Sequence, residues 1–197
     1  MCLPFHGRTL TKMDTVQVEN LLRADCKLSV IFDGVYASDC LPMFCGGGDT
    51  GLVMNIDPST QSGSHWVSIY IQNGKGEYFD SYGMAPPLED FMRFLKTNTK
   101  TWTYNKQELQ SLDSTVCGHY CIWFLSERAR GKSMQNIVQQ FSKTDTKWND
   151  NTVKRQVETR FGGIVKNMSS AAAATSSKCV QCCCARVRCS GSSSSNR

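Results

Sequence analysis

Ser64–Gly83, SHWVSIYIQNGKGEYFDSYG, is the stretch whose reading decides the fold. Residues 64–72 alternate in side-chain character, as a strand with two different faces requires, and Asn73-Gly74 is a strong signal for a tight hairpin turn. Residues 75–80 (KGEYFD) begin the return strand. If Asn73-Gly74 forms a two-residue turn, Gln72 pairs with Lys75 and paired residues sum to 147. His65 then lies across from Tyr82. Asp80 falls on the same face as His65, two residues along, within reach of a diagonal cross-strand contact. A four-residue NGKG loop would leave Asp80 four residues away, and a strand-end aspartate can also simply cap the turn that follows.

Working outward, residues 88–96 (LEDFMRFLK) carry apolar side chains at 88, 91, 92 and 95, the stripe of a helix that packs on a sheet. Residues 101–104 (TWTY) read as another strand and 107–116 as irregular. From Cys117 to Arg130 the period is helical again, with Cys117, Tyr120, Cys121, Phe124 and Leu125 on one buried face. Further helices are expected at 133–141 and 151–161. Upstream, Asp14 caps a short amphipathic helix over 14–24 with Val18, Leu21 and Leu22 inward, and a loop region follows. Within the Gly-, Asp- and Ser-rich segment 40–64, LVMNI (52–56) is a short strand. The pattern predicts an α+β domain with a central sheet flanked by helices.

Cys117 opens a buried helix, so its sulfur sits in the positive field of a helix N-terminus, and Gly118 leaves room for a backbone to approach. Nucleophilic cysteine chemistry also needs a base, and the histidines are His6, His65 and His119. His119 is two residues from Cys117 on the same helix, so the two side chains point apart. Nothing positions His6. His65 begins a strand, which is a rigid mount, and Asp80 is the group that can hold its imidazole in one tautomer. Gln110, seven residues before Cys117 in a loop that can fold back, can supply a side-chain amide to an oxyanion. Read singly, each has an ordinary alternative: a core cysteine, a structural histidine, a surface glutamine. Cys121, one turn beyond Cys117, is read as a core thiol.

The 197 residues suffice for one domain, and 40% hydrophobic with 20% charged residues is ordinary for a soluble globular chain. No run is apolar enough to span a membrane, and residues 1–10 lack the pattern of a secretory signal. An intracellular, soluble protein is expected. Of eleven cysteines, five crowd into the end of the chain (Cys179, Cys182, Cys183, Cys184 and Cys189). Their spacing fits a tetrahedral zinc site poorly, so no metal is expected. Residues 1–165 balance at 17 basic and 17 acidic side chains, and the excess of +5 lies in the tail. Residues 166–197 read as a disordered, basic, Ser- and Cys-rich tail, suited at most to a weak nucleic-acid contact. Gly162-Gly163 at the boundary reads as a helix C-cap or, alternatively, a self-cleavage site.

Taken in chain order, His65-Trp66, Asp80, Gln110 and Cys117-Gly118 form a pattern that resembles the adenovirus maturation proteases (adenain) and, more distantly, the Ulp/SUMO-type proteases. Segments 32–42 (FDGVYASDCLP), 52–57 (LVMNID), 63–66 (GSHW), 77–83 (EYFDSYG) and 110–125 (QSLDSTVCGHYCIWFL) resemble adenain segments, so most of residues 14–130 is covered. The spacing of seven between Gln110 and Cys117 is that of adenain, and Val116 stands where Ulp-type enzymes carry Asp. The resemblance implies a circularly permuted papain-like cysteine protease domain over 1–165, with a mixed sheet flanked by helices. In it His65, Asp80 and Cys117 form the catalytic triad and Gln110 the oxyanion hole. It implies a monomeric endopeptidase that cuts viral capsid or core precursors at Gly-Gly-like sites, in the host nucleus or virion. Cleavage of ubiquitin-like conjugates is the alternative. Two departures stand out: the acid is Asp80 where mammalian adenoviral enzymes carry Glu, and no cysteine lies between Cys45 and Cys117 to tether an activating peptide. No cofactor is expected, and no residue here supports a peptide or DNA activator. Variants of this kind resemble the proteases of Polinton- and adintovirus-like elements.

Overall fold

The computed structural model describes residues 12–43 and 48–172. Five strands form one mixed sheet in sequential order: β1 (Phe32–Tyr36), β2 (Thr50–Asn55), β3 (Trp66–Gln72), β4 (Lys75–Phe79) and β5 (Thr101–Tyr104). The outer pairs β1/β2 and β4/β5 are parallel, and the inner pairs β2/β3 and β3/β4 are antiparallel. The β3–β4 turn has two residues, with Gln72 opposite Lys75 and Ser68 opposite Phe79. Asn73 (φ 52) and Gly74 (φ 74) both take positive φ, the demand of a type I′ turn that Asn-Gly meets cheaply. The register sum of 147 therefore holds.

Alternation along the strands builds two cores. Leu52, Met54, Val67, Ile69, Ile71 and Tyr78 point to one face, where α2 (Glu89–Asn98) covers them with Phe91, Phe94 and Leu95. Val53, Trp66, Tyr70 and Phe79 point to the other, against the central helix α3 (Cys117–Arg128). There Phe79 stacks on Phe124 with ring centroids 4.4 Å apart. Phe124→Ala would cost about 3–5 kcal/mol, the usual toll of an aromatic cavity.

Helix α3 is buried on every side rather than on one face, because α1 (Thr15–Ala24), α4 (Met134–Val138) and α5 (Thr146–Ala172) surround what the sheet leaves open. Its charged end is neutralised in place. Glu127 is paired by Lys132 and by Arg160 (2.6 Å), and Arg128 pairs with Glu77 at 2.7 Å while lying over the Tyr70 ring.

Three expectations change. The segment after α1, expected to be loop, contains the strand β1. Gly162 and Gly163 do not end a helix: α5 continues through them, since Phe161 is buried and Ile164 packs against the core, and the Ser/Ala run beyond suits helix. Helix α5 runs on to Ala172, into the segment 166–197 for which disorder is expected. A chain cleaved at 162–163 would first have to unwind there. The tail beyond 172, with its cysteines and arginines, lies outside the described residues, as do His6 and Cys45. Among the described residues no helix is long and apolar enough to cross a membrane, and no His/Cys/Asp/Glu cluster could hold a metal.

Candidate active site

Cys117 is the first residue of α3. The helix has no side-chain cap at Val116, in contrast to α1, where Asp14 and Gln17 close a reciprocal capping box. At α3 the His119 N–H turns back to the Val116 carbonyl at 2.9 Å, and no side chain caps the N–H groups of Cys117 and Gly118, which face the positive end of the helix field. Gly118 faces packed side chains and not an open approach from solvent: a Cβ there would lie 3.4–3.5 Å from Met13, Val18 and Trp66, in ordinary van der Waals contact. Beside it the Trp66 indole donates to the Met13 carbonyl at 3.3 Å.

His65 and Asp80 lie just past the last paired residues of β3 and β4. Their side chains meet, Nε2 to Oδ1, at 2.9 Å, and both are largely buried. Asp80 is held from three directions. Its Oδ1 also accepts from the Tyr82 N–H (2.8 Å), its own N–H donates to the Asn105 side-chain oxygen (2.9 Å), and its carbonyl accepts from the Asn105 amide (2.6 Å). The Tyr82 ring stacks on His65 at 4.8 Å, as the register placed it. With Nε2 engaged by Asp80, Nδ1 is the ring nitrogen left for sulfur, and His65 and Cys117 line the same small cavity. Burial pulls the His65 pKa down, yet the hydrogen bonds and charges of Asp80 and Cys117 outweigh it, and the value is raised to about 9. The site therefore holds a cation beside the sulfur through neutral pH.

Gln110 is fully buried, and its side chain is fixed at both ends. The oxygen accepts from the Ser81 hydroxyl (2.7 Å); the amide donates to the Ser114 carbonyl (2.9 Å) and, more weakly, to the Tyr82 hydroxyl (3.2 Å). It lines, with Cys117, His65 and Tyr82, a cavity of about 70 Å³. A larger cavity of about 400 Å³ is lined in part by Val35, Tyr36, Pro58, Gly63 and Trp66, the last two flanking Ser64 and His65 in sequence.

All four residues singled out from sequence thus converge on one small cavity or its immediate wall. His119, set aside as the base, is fully buried in the core with no hydrogen-bond partner on either ring nitrogen. Burial, aided by Lys154, drives its pKa to about 3. Cys121 is likewise a core thiol pushed up by burial. Sequence reasoning missed Asn105, Ser81 and the stacking of Tyr82. Only Tyr82 left a signal, its place opposite His65.

No protein-family model matches the chain. A protein of Acanthamoeba polyphaga mimivirus named "Putative thiol protease R355" is 36% identical over 97 residues, 44% of this chain and 32% of that protein. The chain thus spans about a third of the length of the relative it matches. Among solved structures, the ASFV pS273R protease aligns with a TM-score of 0.40 at 24% identity, over 54% of this chain and 43% of that one. ChlaDub1 of Chlamydia trachomatis aligns with a TM-score of 0.42 at 13% identity, over 81% and 82%.

Proposed function

We propose that this chain is a cysteine endopeptidase of the adenain type, with Cys117 as nucleophile, His65 as acid and base, Asp80 as the group that orients it, and Gln110 in the oxyanion hole. The observation that carries the reading is the 2.9 Å His65–Asp80 contact on a hairpin end, with the ring's other nitrogen left for a cysteine at an uncapped helix start. The thiol protease name of the mimivirus relative supports it.

The reaction follows from the placement. The Cys117 thiolate attacks the substrate carbonyl carbon, and the carbonyl oxygen becomes an oxyanion that the Cys117 N–H and the Gln110 amide receive. The tetrahedral intermediate collapses as His65 gives its proton to the leaving amine, and a thioester remains on Cys117. His65 then takes a proton from water, whose oxygen attacks the thioester and releases the acid and the free thiol. A space of about 70 Å³ at the sulfur suits a residue with little or no side chain, and the cavity of about 400 Å³ that Trp66 lines suits side chains further along an extended peptide.

Substrates of Gly-Gly type within viral capsid or core precursors fit both this space and the resemblance. Monomeric action in a host nucleus or virion, with the basic tail touching nucleic acid, completes the reading. Wild-type protein should cut such precursors and Cys117→Ala should not; equal cleavage by both would overturn the assignment. Labelling of Cys117 by ubiquitin-like vinyl probes, with precursors left intact, would move the substrate class to ubiquitin-like conjugates.

A further inference from the structure

The loop that presents Gln110 is anchored by a helix far along the chain. We propose that Asp150, on α5, is a positioning residue that holds Gln110 where its amide can meet the oxyanion, an inference that rests on the proposed peptidase chemistry.

Residues on both sides of Gln110 are tied to the same place. On the C-terminal side, the Asp150 carboxylate accepts from the Ser111 N–H (3.3 Å) and from the Ser111 hydroxyl. On the N-terminal side, the Leu109 carbonyl accepts from the Tyr120 hydroxyl (3.0 Å), and that hydroxyl also lies 3.1 Å from Asp150 Oδ1. The neighbouring Asn149 donates to the same Leu109 carbonyl at 3.0 Å. The backbone N–H groups of Leu109 and Gln110 both reach the Ser81 carbonyl, next to Asp80. Gln110 is thus clamped between the hairpin that carries the base and the helix that carries Asp150.

Asp150 is 7% exposed, and no Lys or Arg among the described residues forms an ion pair with it. A carboxylate in such a place is retained through its hydrogen bonds and its position in the first turns of α5, where the helix field favours an anion. Removing it strands the Ser111 N–H and frees the Tyr120 hydroxyl, and the loop loses its C-terminal anchor. Cys117 and His65 make none of these bonds.

The test separates oxyanion chemistry from sulfur chemistry. Acylation of Cys117 by the p-nitrophenyl ester of an N-acylglycine needs the oxyanion hole; alkylation by iodoacetamide needs only the sulfur and His65. Rates are referred to titrated Cys117, so that loss of folded protein does not enter. Asp150→Ala should slow the acylation rate about 10- to 100-fold with KM little changed, because misplacing a catalytic group by about an ångström costs that much. Alkylation and its pH profile should match wild type. Asp150→Asn, which keeps one acceptor oxygen, should recover most of the rate. The double variant Asp150→Ala/Gln110→Ala should be no slower than Gln110→Ala alone. Equal acylation by wild type and Asp150→Ala, parallel loss of acylation and alkylation, or additive effects in the double variant would each overturn the inference. Should wild type neither acylate nor alkylate faster than His65→Ala, the peptidase reading itself falls, and the role of Asp150 with it.

Discussion

Two histidines, His65 and His119, belong to the surroundings of the start of α3, and the fold drives them in opposite directions. His65 is buried beside a carboxylate and a thiol and keeps its proton up to about 9; His119 is buried with neither ring nitrogen hydrogen-bonded, with Lys154 acting on it, and stays neutral down to about 3. Burial acts against the charged form in both. What differs is the partner, so a histidine becomes an acid–base group here through Asp80 and not through depth alone.

The largest way to break the contrast is His65→Ala, which should lower kcat/KM by about 10²–10⁴-fold, the usual worth of a positioned acid–base group. His119→Leu should leave steady-state kinetics unchanged. If the two variants lose activity alike, the base has been misassigned. Asp80→Asn keeps a hydrogen-bond acceptor but removes the charge, and should move His65 down by roughly one to three pH units. The alkaline limb of the pH–rate profile would shift to lower pH with it, while an unmoved limb would show that Asp80 does not set the charge of His65.

The smallest effect is on stability. His65 is raised above its unfolded value near 6.5, so its contribution is full below that value and is lost as pH rises through about 9. His119 is depressed, so the unfolded chain binds a proton that the native one refuses, and stability falls as pH drops from 6.5 toward 3. His119→Leu should flatten that acid slope and raise stability at neutral pH by about 1 kcal/mol, since two unpartnered ring nitrogens leave the core. Chemical denaturation at pH 5 and pH 7 checks both, and an unchanged acid slope would count against the buried neutral state.

How much of this could be read in advance varied with sequence distance. Asn73-Gly74 admits few turns, so the hairpin, the register and the meeting of His65 with Asp80 followed from local rules. The start of α3 at Cys117 followed from its apolar period. Strand β1 was hidden because FDGVY contains a turn-forming Asp-Gly and pairs in parallel with β2, with a register shift between Phe32 and Gly34. The passage of α5 through Gly162-Gly163 was hidden because burial of Phe161 overrides local glycine preference. Asp150 lies 39 residues from the loop it holds, and no period or motif links the two.

The most direct test of the account is competition among the chain's own thiols. One equivalent of iodoacetamide at pH 6, followed by mass-spectrometric mapping, should label Cys117 ahead of Cys26, although Cys117 is buried and Cys26 exposed, because an imidazolium stands beside Cys117. His65→Ala should abolish that preference. Labelling of Cys26 first in wild type, or an unchanged preference for Cys117 in His65→Ala, would contradict the claim that His65 activates Cys117.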